Sequence, residues 1–390
     1  FSVKMHHKFS GEVRRWWPVE GSKEYYTALY HHDYARHGRS LLSFLPGNET
    51  VRISRLGFLH YSFLQLGTPN VTFLVALDTG SDLFWVPCDC EQCAPEFDLN
   101  VYSPSASKTS KPITCNNSLC QRKCSNPDRC PYKIAYVSAN TSSSGTLVED
   151  ILYLIPGDSV VKAPITFGCG QTQTGSFLDG AAPNGLLGLG IEQISVPTIL
   201  SKSGLIPNSF SMCFQREGSI GRFTLGDKGT LDQKETPFII DPTYNVSVKK
   251  FYVGKTVKTE FDALFDTGTS FTYLADPAYK DLTSNFHQQT KDPLDDTIPF
   301  EFCYKTRDNQ TIDERLKISL NFDGGNNFSV IQPLIFLGDE TGNLAGYCLA
   351  VIQSNSLTII GQNFMTGYQI VFDREQYKLG WKESNCYDLD

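Results

Sequence analysis

No run of 18 apolar residues occurs in this 390-residue chain, so nothing in it reads as a membrane-spanning helix. Long Ala/Glu/Lys/Leu stretches are also missing. Gly, Ser, Thr, Tyr and Phe are plentiful instead, which favours β structure with many turns. Histidine is scarce: there are seven, and five lie before residue 55. Few are therefore at hand to complete a zinc site with the cysteines, and Cys88-x-Cys90-x-x-Cys93 lacks the usual paired spacing. The glycines of Gly185–Gly190 are not followed by Gly-Lys-Ser/Thr and no helix opens there, so they are not a phosphate loop. There is no basic stripe, which argues against nucleic acid as a partner.

What remains is a chain too long for one core and suited to two lobes. Its formal charge of −8 is uneven. Residues 1–55 carry nine Lys/Arg against five Asp/Glu, a net of +4, which leaves −12 on the rest. A basic arm on an acidic body points to an intramolecular electrostatic partner. Within the arm, Ser22–Leu42 reads as a helix with Ser22 as N-cap. His31, His32 and His37 fall on it and are read as solvated rather than metal-binding.

Twelve cysteines, at 88, 90, 93, 115, 120, 124, 130, 169, 213, 303, 348 and 386, make an even set. Seven Asn-x-Ser/Thr sequons accompany them, at Asn48, Asn70, Asn116, Asn140, Asn245, Asn309 and Asn327. Together they point to disulfides, glycosylation and the secretory pathway. Phe1 is not a start residue, so a signal segment removed upstream is expected. A lipid anchor attached beyond Asp390 stays open.

From Leu56 onward short strands run to the end, with two short helices expected at Val196–Ser203 and Pro277–Gln289. An internal repeat stands out. Ala76-Leu77-Asp78-Thr79-Gly80-Ser81 is echoed by Leu264-Phe265-Asp266-Thr267-Gly268-Thr269. Each copy has a later apolar-apolar-Gly partner, Leu186-Leu187-Gly188 in the first half and Ile359-Ile360-Gly361 in the second. The boundary between halves falls between Asp227 and Tyr244.

The repeated turn has a chemical reading. An apolar strand fixes the backbone and delivers the Asp at its end. Gly allows a tight turn that brings N–H groups toward the carboxylate, and the Ser or Thr three residues on donates to its outer oxygen. Two such turns face to face bring two carboxylates together. Like charges that close cannot both ionise, so the pair shares a proton. One member then acts as base toward water while the other polarises a carbonyl.

These motifs resemble the pepsin family of aspartic proteases over nearly all of residues 56–390. Asp78-Thr79-Gly80-Ser81 with Trp85 is similar to the family's first active-site loop, and Asp266-Thr267-Gly268-Thr269-Ser270 to the second. Asn184–Gly190 and Ile359–Phe364 resemble the strands threading behind them, and Gln369–Asp373 the strand that follows. The Cys pattern most resembles the plant nepenthesin-like branch, with its Cys-rich insertion between the first loop and the flap. FSVKMHHKFS, GNETVRISRLGFLHYSFLQLGTP and ALDTGSDLFWVPCDC look like the plant aspartyl protease family protein group.

The resemblance implies an all-β, bilobal acid-protease fold with a central cleft. Its parts would be a prosegment-like basic arm at 1–55, an N-terminal lobe at 56–240 and a C-terminal lobe at 241–390. It implies catalysis by Asp78 and Asp266, supported by Thr79, Gly80, Ser81, Thr267, Gly268 and Thr269, with no cofactor and no metal. Tyr136 looks like the flap tyrosine bonded to Trp85, while Val137 stands where many members have Gly. Spacing alone sets no disulfide connectivity. The resemblance implies 88–90, 93–169, 115–130, 120–124, 213–386 and 303–348. A monomer acting on protein or peptide substrates is expected, extracellular, apoplastic or vacuolar. The arm, through Lys4, Lys8, Arg14, Arg15, Lys23, Arg36 and Arg39, would cover the acidic cleft until acid releases it. The alternative is a catalytically silent protein on the same fold, like the plant proteins that bind and inhibit xylanases.

Overall fold

β-branched and aromatic runs bounded by Gly, Pro and Asn form strands throughout. The computed structural model describes residues 2–6, 22–27, 60–94, 99–136, 140–154, 160–178, 181–216, 220–240, 243–254, 256–258, 260–296, 300–306, 317–338 and 344–386. In the first lobe the longest hairpin joins Ser142–Leu154 to Val161–Thr174, in register from Ser142 opposite Thr174 to Leu154 opposite Val161. Trp85–Gln92 lies parallel to the second arm, with Trp85 opposite Gly168. Tyr61–Leu66 pairs antiparallel with Val71–Asp78.

The second lobe is built on Tyr244–Val253. Its first half pairs with Phe261–Phe265 and its second half with Ile318–Phe322. The inward faces bring Phe265, Phe322, Phe328 and Trp381 into edge contacts at 5.3–6.0 Å, a favourable geometry for aromatic quadrupoles. The helices Val196–Lys202 and Ala278–Gln289 form within a residue of the expected bounds.

The lobes share a sheet. Ser209–Phe214 pairs with Ile220–Leu225 on one side and with Tyr368–Asp373 on the other, followed by Lys378–Glu383 and Lys234–Pro237. The end of the chain is thus hydrogen-bonded into a sheet of the first half. Phe210 stacks on Phe372 at 4.7 Å at this junction.

The arm docks at two places. Ser2–His6 pairs with Ile220–Leu225, and Met5 and His6 also lie opposite Ser62 and Tyr61. Residues 23–27 are helical. Ser22 caps them as expected: its hydroxyl accepts the Tyr25 N–H at 3.1 Å, satisfying one of the donors a helix start leaves orphaned. Tyr25 is 1% exposed and packs with Leu264, Phe271 and Phe300 of the second lobe. The rest of the expected helix, with His31, His32 and His37, lies outside the described residues. So do Lys8, Arg14, Arg15, Arg36 and Arg39, the sequons at Asn48 and Asn309, and Val137.

All twelve cysteines are in disulfides. Cys213–Cys386 and Cys303–Cys348 pair as the resemblance implies. The other four bonds correct the expectation: they are Cys88–Cys169, Cys90–Cys93, Cys115–Cys124 and Cys120–Cys130. The reasons are local. Strand alternation would put residues 88 and 90 on one face, but Asp89 adopts φ +39 and breaks it. Cys88 stays buried beside the strand where Cys169 lies opposite Val86, at a Cα–Cα distance of 4.9 Å. Cys90 turns outward and meets Cys93 at 5.9 Å. In the insertion, Cys120 N–H bonds to Asn117 O at 2.9 Å. That turn carries Cys120 against buried Cys130 and leaves Cys115 for Cys124.

Candidate active site

Two strands deliver the two aspartates. Val71–Asp78 and Phe261–Phe265 end in buried apolar residues, 73–77 and 263–265, so each backbone is fixed up to the turn that follows. The carboxylates are then held in matching ways. Gly80 N–H donates to Asp78 Oδ1 at 3.0 Å, and Ser81 Oγ–H to Oδ2 at 2.6 Å. Gly268 N–H donates to Asp266 Oδ1 at 2.7 Å, and Thr269 Oγ1–H to Oδ2 at 2.6 Å. Asp78 and Asp266 are 1% and 2% exposed. Both oxygens of each carboxyl group are thus fixed by a hydrogen bond from its own turn.

The turns also grip each other. Thr79 N–H donates to Thr267 Oγ1 at 3.1 Å, and Thr267 N–H to Thr79 Oγ1 at 3.0 Å. Each hydroxyl passes its own proton to the opposite strand, Thr79 to Phe265 O at 3.1 Å and Thr267 to Leu77 O at 3.3 Å. These bonds join residues about half a chain apart and put the turns face to face.

The apolar-apolar-Gly partners sit behind the turns. Leu186–Gly188 pairs parallel with Ala76–Asp78, and Ile359–Ile360 with Leu264–Phe265. Glycine is required at each by close approach. A Cβ on Gly188 would lie 2.4 Å from the Asp82 carbonyl carbon, and one on Gly361 2.3 Å from Phe271 O. Leu189 N–H donates to Asp78 O at 2.8 Å, and Leu189 O accepts the Tyr244 hydroxyl at 2.6 Å. The start of the second lobe is thereby tied to the first aspartate.

The hairpin expected as the flap pairs Pro131–Ala135 with the first residues of Ser142–Leu154. Trp85 Nε1–H donates to the Tyr136 hydroxyl at 2.8 Å, and both rings meet Phe177 edge-on, at 5.0 and 4.9 Å. Burial, and then the charge of Asp78, push the Tyr136 hydroxyl well above the ordinary tyrosine range, so it stays protonated at any working pH. The sequon at Asn140 sits exposed at the turn with φ +57. Asn70, Asn116 and Asn327 are exposed elsewhere, and Asn245 is half-buried with its amide on Thr243.

A cavity of about 400 Å³ opens on Asp78, Gly80, Ser81 and Tyr136. Its lining includes residues that the motifs did not single out: Asp82, Leu119, Arg122, Glu192 and Ile194. Of these only Asp82 had a signal, being next to Ser81. Asp82 Oδ1 accepts the Glu192 N–H at 2.8 Å. Burial raises its carboxyl above the usual range, against that bond, and the Glu192 and Asp78 charges add to the rise while Arg374 opposes it. The Arg374 guanidinium, carried at the end of the second-half strand Tyr368–Asp373, reaches Ile191 O at 3.2 Å. As for metals, the sulfurs of Cys115, Cys120 and Cys124 converge, but each is spent in a disulfide and offers no thiolate.

Among the described residues, no helix is long and apolar enough to cross a membrane. Family models described as xylanase inhibitor N-terminal and xylanase inhibitor C-terminal match residues 60–227 and 244–383. The chain is 48% identical over 421 residues to aspartyl protease family protein 1 of Arabidopsis thaliana, covering 99% of this chain and 82% of that one. It is 25% identical to aspartic proteinase nepenthesin-1 of Nepenthes gracilis, covering 83% and 77%. The solved structure of basic 7S globulin from soybean superposes with a TM-score of 0.68 at 20% identity, over 84% of this chain and 92% of that one, which shows a shared fold. By its fold, its two matching Asp-Thr-Gly turns and these relatives, the chain belongs to the plant pepsin-like aspartyl protease family.

Proposed function

We propose that this protein is an aspartic endopeptidase in which a water held between Asp78 and Asp266 hydrolyses the peptide bond. The observation that carries the reading is the reciprocal Thr79–Thr267 exchange, with Ser81 and Thr269 on the outer oxygens. This is the preorganised pair that the chemistry needs. On this reading one member of the pair is ionised and the other protonated. The ionised member takes a proton from water as the oxygen attacks the carbonyl carbon, and the protonated member donates to the carbonyl oxygen. The tetrahedral diol then collapses: the C–N bond breaks, the protonated carboxyl gives its proton to the leaving nitrogen, the ionised carboxylate takes a proton from one diol hydroxyl as the new carboxyl C=O forms, and the dyad again holds one proton. Tyr136 and Trp85 form the flap side of the cleft, and the substrate lies extended, bonded through its backbone as an added strand. Cleavage of a peptide library at acidic pH, blocked by pepstatin and lost in Asp78→Asn, is expected. Unchanged cleavage by Asp78→Asn would sink the assignment.

Residues 1–55 act as the prosegment of a zymogen that travels the secretory route as a glycosylated monomer. The docking of Ser2–His6 and of Tyr25 supports an arm that is part of the inactive fold, and its charge supports release by acid. Acid incubation followed by N-terminal sequencing tests this. Full activity with Phe1 intact would make the arm a permanent extension.

A second reading is favoured by one observation, the description of both matched family models as xylanase inhibitor domains. On that reading the chain binds a glycosidase and cleaves nothing. Inert behaviour toward every peptide, together with inhibition of a xylanase, would establish it.

A further inference from the structure

The cavity on Asp78 continues beyond the catalytic turn. It is lined along the flap strand by Pro131–Ala135 and ends on Leu119, Gln121 and Arg122 of the Cys-rich insertion. That outer wall is braced. Cys115–Cys124 and Cys120–Cys130 join residues 9 and 10 apart in sequence. Cys130 N–H bonds to Ile113 O at 2.7 Å, and Leu147 N–H to Cys130 O at 2.8 Å. The Arg122 guanidinium donates to Lys133 O at 2.7 Å, which holds the insertion against the flap strand.

Charge in the cavity is divided. Asp78, Asp82 and Glu192 line it with Arg122 and Lys133. Both cationic side chains are exposed, and among the described residues neither pairs with a carboxylate. Burial raises the Asp82 carboxyl above its ordinary value.

Resting on the endopeptidase reading, we propose that Arg122 and Lys133 form a substrate subsite that selects an acidic side chain. The insertion then determines specificity as well as bracing the lobe. Lys133 precedes Tyr136 by three residues, so at about 3.3 Å per residue it lies about 10 Å along the strand. The selected Asp or Glu therefore falls within about three residues of the scissile bond.

The test uses the full chain after acid treatment and matched peptides carrying Asp, Ala or Lys at each of three positions on either side of the cut. At pH 5, kcat/KM is expected to favour Asp over Ala at one position, by up to about fivefold, the most an exposed ion pair supplies. The preference is expected to vanish near pH 3, where the substrate carboxyl is protonated. Lys133→Glu turns the Asp/Lys ratio toward Lys, and Arg122→Gln lowers the Asp/Ala ratio. Equal kcat/KM for Asp, Ala and Lys at every position overturns the inference alone. So does a preference that survives Lys133→Glu or pH 3. Failure of the wild type to cut even the Ala peptides overturns the endopeptidase reading and this inference with it.

Discussion

Replacing Thr267 with Val keeps the side-chain volume and removes one buried hydroxyl. That hydroxyl accepts from Thr79 N–H at 3.1 Å and donates to Leu77 O at 3.3 Å. Two such bonds contribute about 1 kcal/mol each, and stranding the Thr79 N–H raises the loss to about 2–4 kcal/mol in all. At about 2.1 cal/mol/K of unfolding entropy per residue, a chain of this length answers with a Tm lower by roughly 2–5 °C. The effect on catalysis is larger than the effect on stability. The exchange orients both turns, and a misplacement of about 1 Å costs about 100-fold. kcat is therefore expected to fall by about 10- to 100-fold with little change in KM, because the flap and the outer cavity are untouched. Thr79→Val removes a separate pair of bonds, Thr267 N–H to its hydroxyl and its hydroxyl to Phe265 O. In the double variant the stability losses should depart from additivity, since the two residues touch in one hydrogen-bond network. The kcat losses should not add, since either break frees the turns. Thermal melts and steady-state kinetics on the three variants decide the matter. A Thr267→Val enzyme with wild-type Tm and wild-type kcat would refute the idea that this exchange holds the dyad.

Gly361→Ala would force a Cβ to within 2.3 Å of Phe271 O; overpacking of this kind costs about 1–3 kcal/mol, and an unchanged urea midpoint would contradict it. Tyr136→Phe keeps the ring on Phe177 but loses the bond from Trp85, so kcat/KM should drop about fivefold, with Tyr136→Ala worse; equal activity in the two variants would deny the flap role. Burial works to raise Asp150, but hydroxyls of Ser107, Thr109 and Tyr102 and the Ile151 N–H outweigh it and hold the carboxyl below its usual 3.8. A depressed folded pKa gives stability that is present above the unfolded value and is lost as pH falls through the folded one. Asp150→Asn should therefore lower Tm at pH 6 and much less near pH 2, and an equal loss at both would tell against these bonds. Non-reducing peptide mapping should link Cys88 to Cys169 and Cys90 to Cys93, whereas a fragment closed by 88 and 90 would show the turn at Asp89 to be wrong.

What was legible in the residues was the chemistry that acts over short spans. Asp78 and Asp266, their Ser81 and Thr269 partners, and the strands that carry them follow from alternation, a tight glycine turn and a hydroxyl three residues on. The Leu-Leu-Gly and Ile-Ile-Gly partners were visible as a repeat. Their reason, a backbone approach that leaves no room for a Cβ, appears only once the strands are in place. Cys88–Cys169 and Cys90–Cys93 hang on a single backbone angle, at Asp89, which decides the way Cys90 faces, and Cys115–Cys124 and Cys120–Cys130 on the turn at Cys120; no side-chain pattern encodes either. Phe177, Glu192 and Arg122 reach the cleft from loops whose sequences carry no period, so only the fold brings them to Tyr136 and Asp78.

The repeat suggests two halves that each contribute a finished half-site, but the bonds argue otherwise. The hydroxyl that accepts Thr79 N–H belongs to the second lobe, and the one that accepts Thr267 N–H to the first. Asp78 O is held by Leu189, which is held in turn by Tyr244 from the second lobe. Arg374 crosses from the chain's last strands to the loop beside Asp82, and those strands lie in a sheet with Ser209–Phe214. Each carboxylate is thus positioned partly by the lobe that does not carry it. Loosening the shared sheet would degrade the dyad before the apolar core opened, because buried hydrogen bonds across the junction are lost with small displacements while apolar contacts persist. Activity should consequently be the first property to fail on mild denaturation, ahead of any change in the aromatic cores.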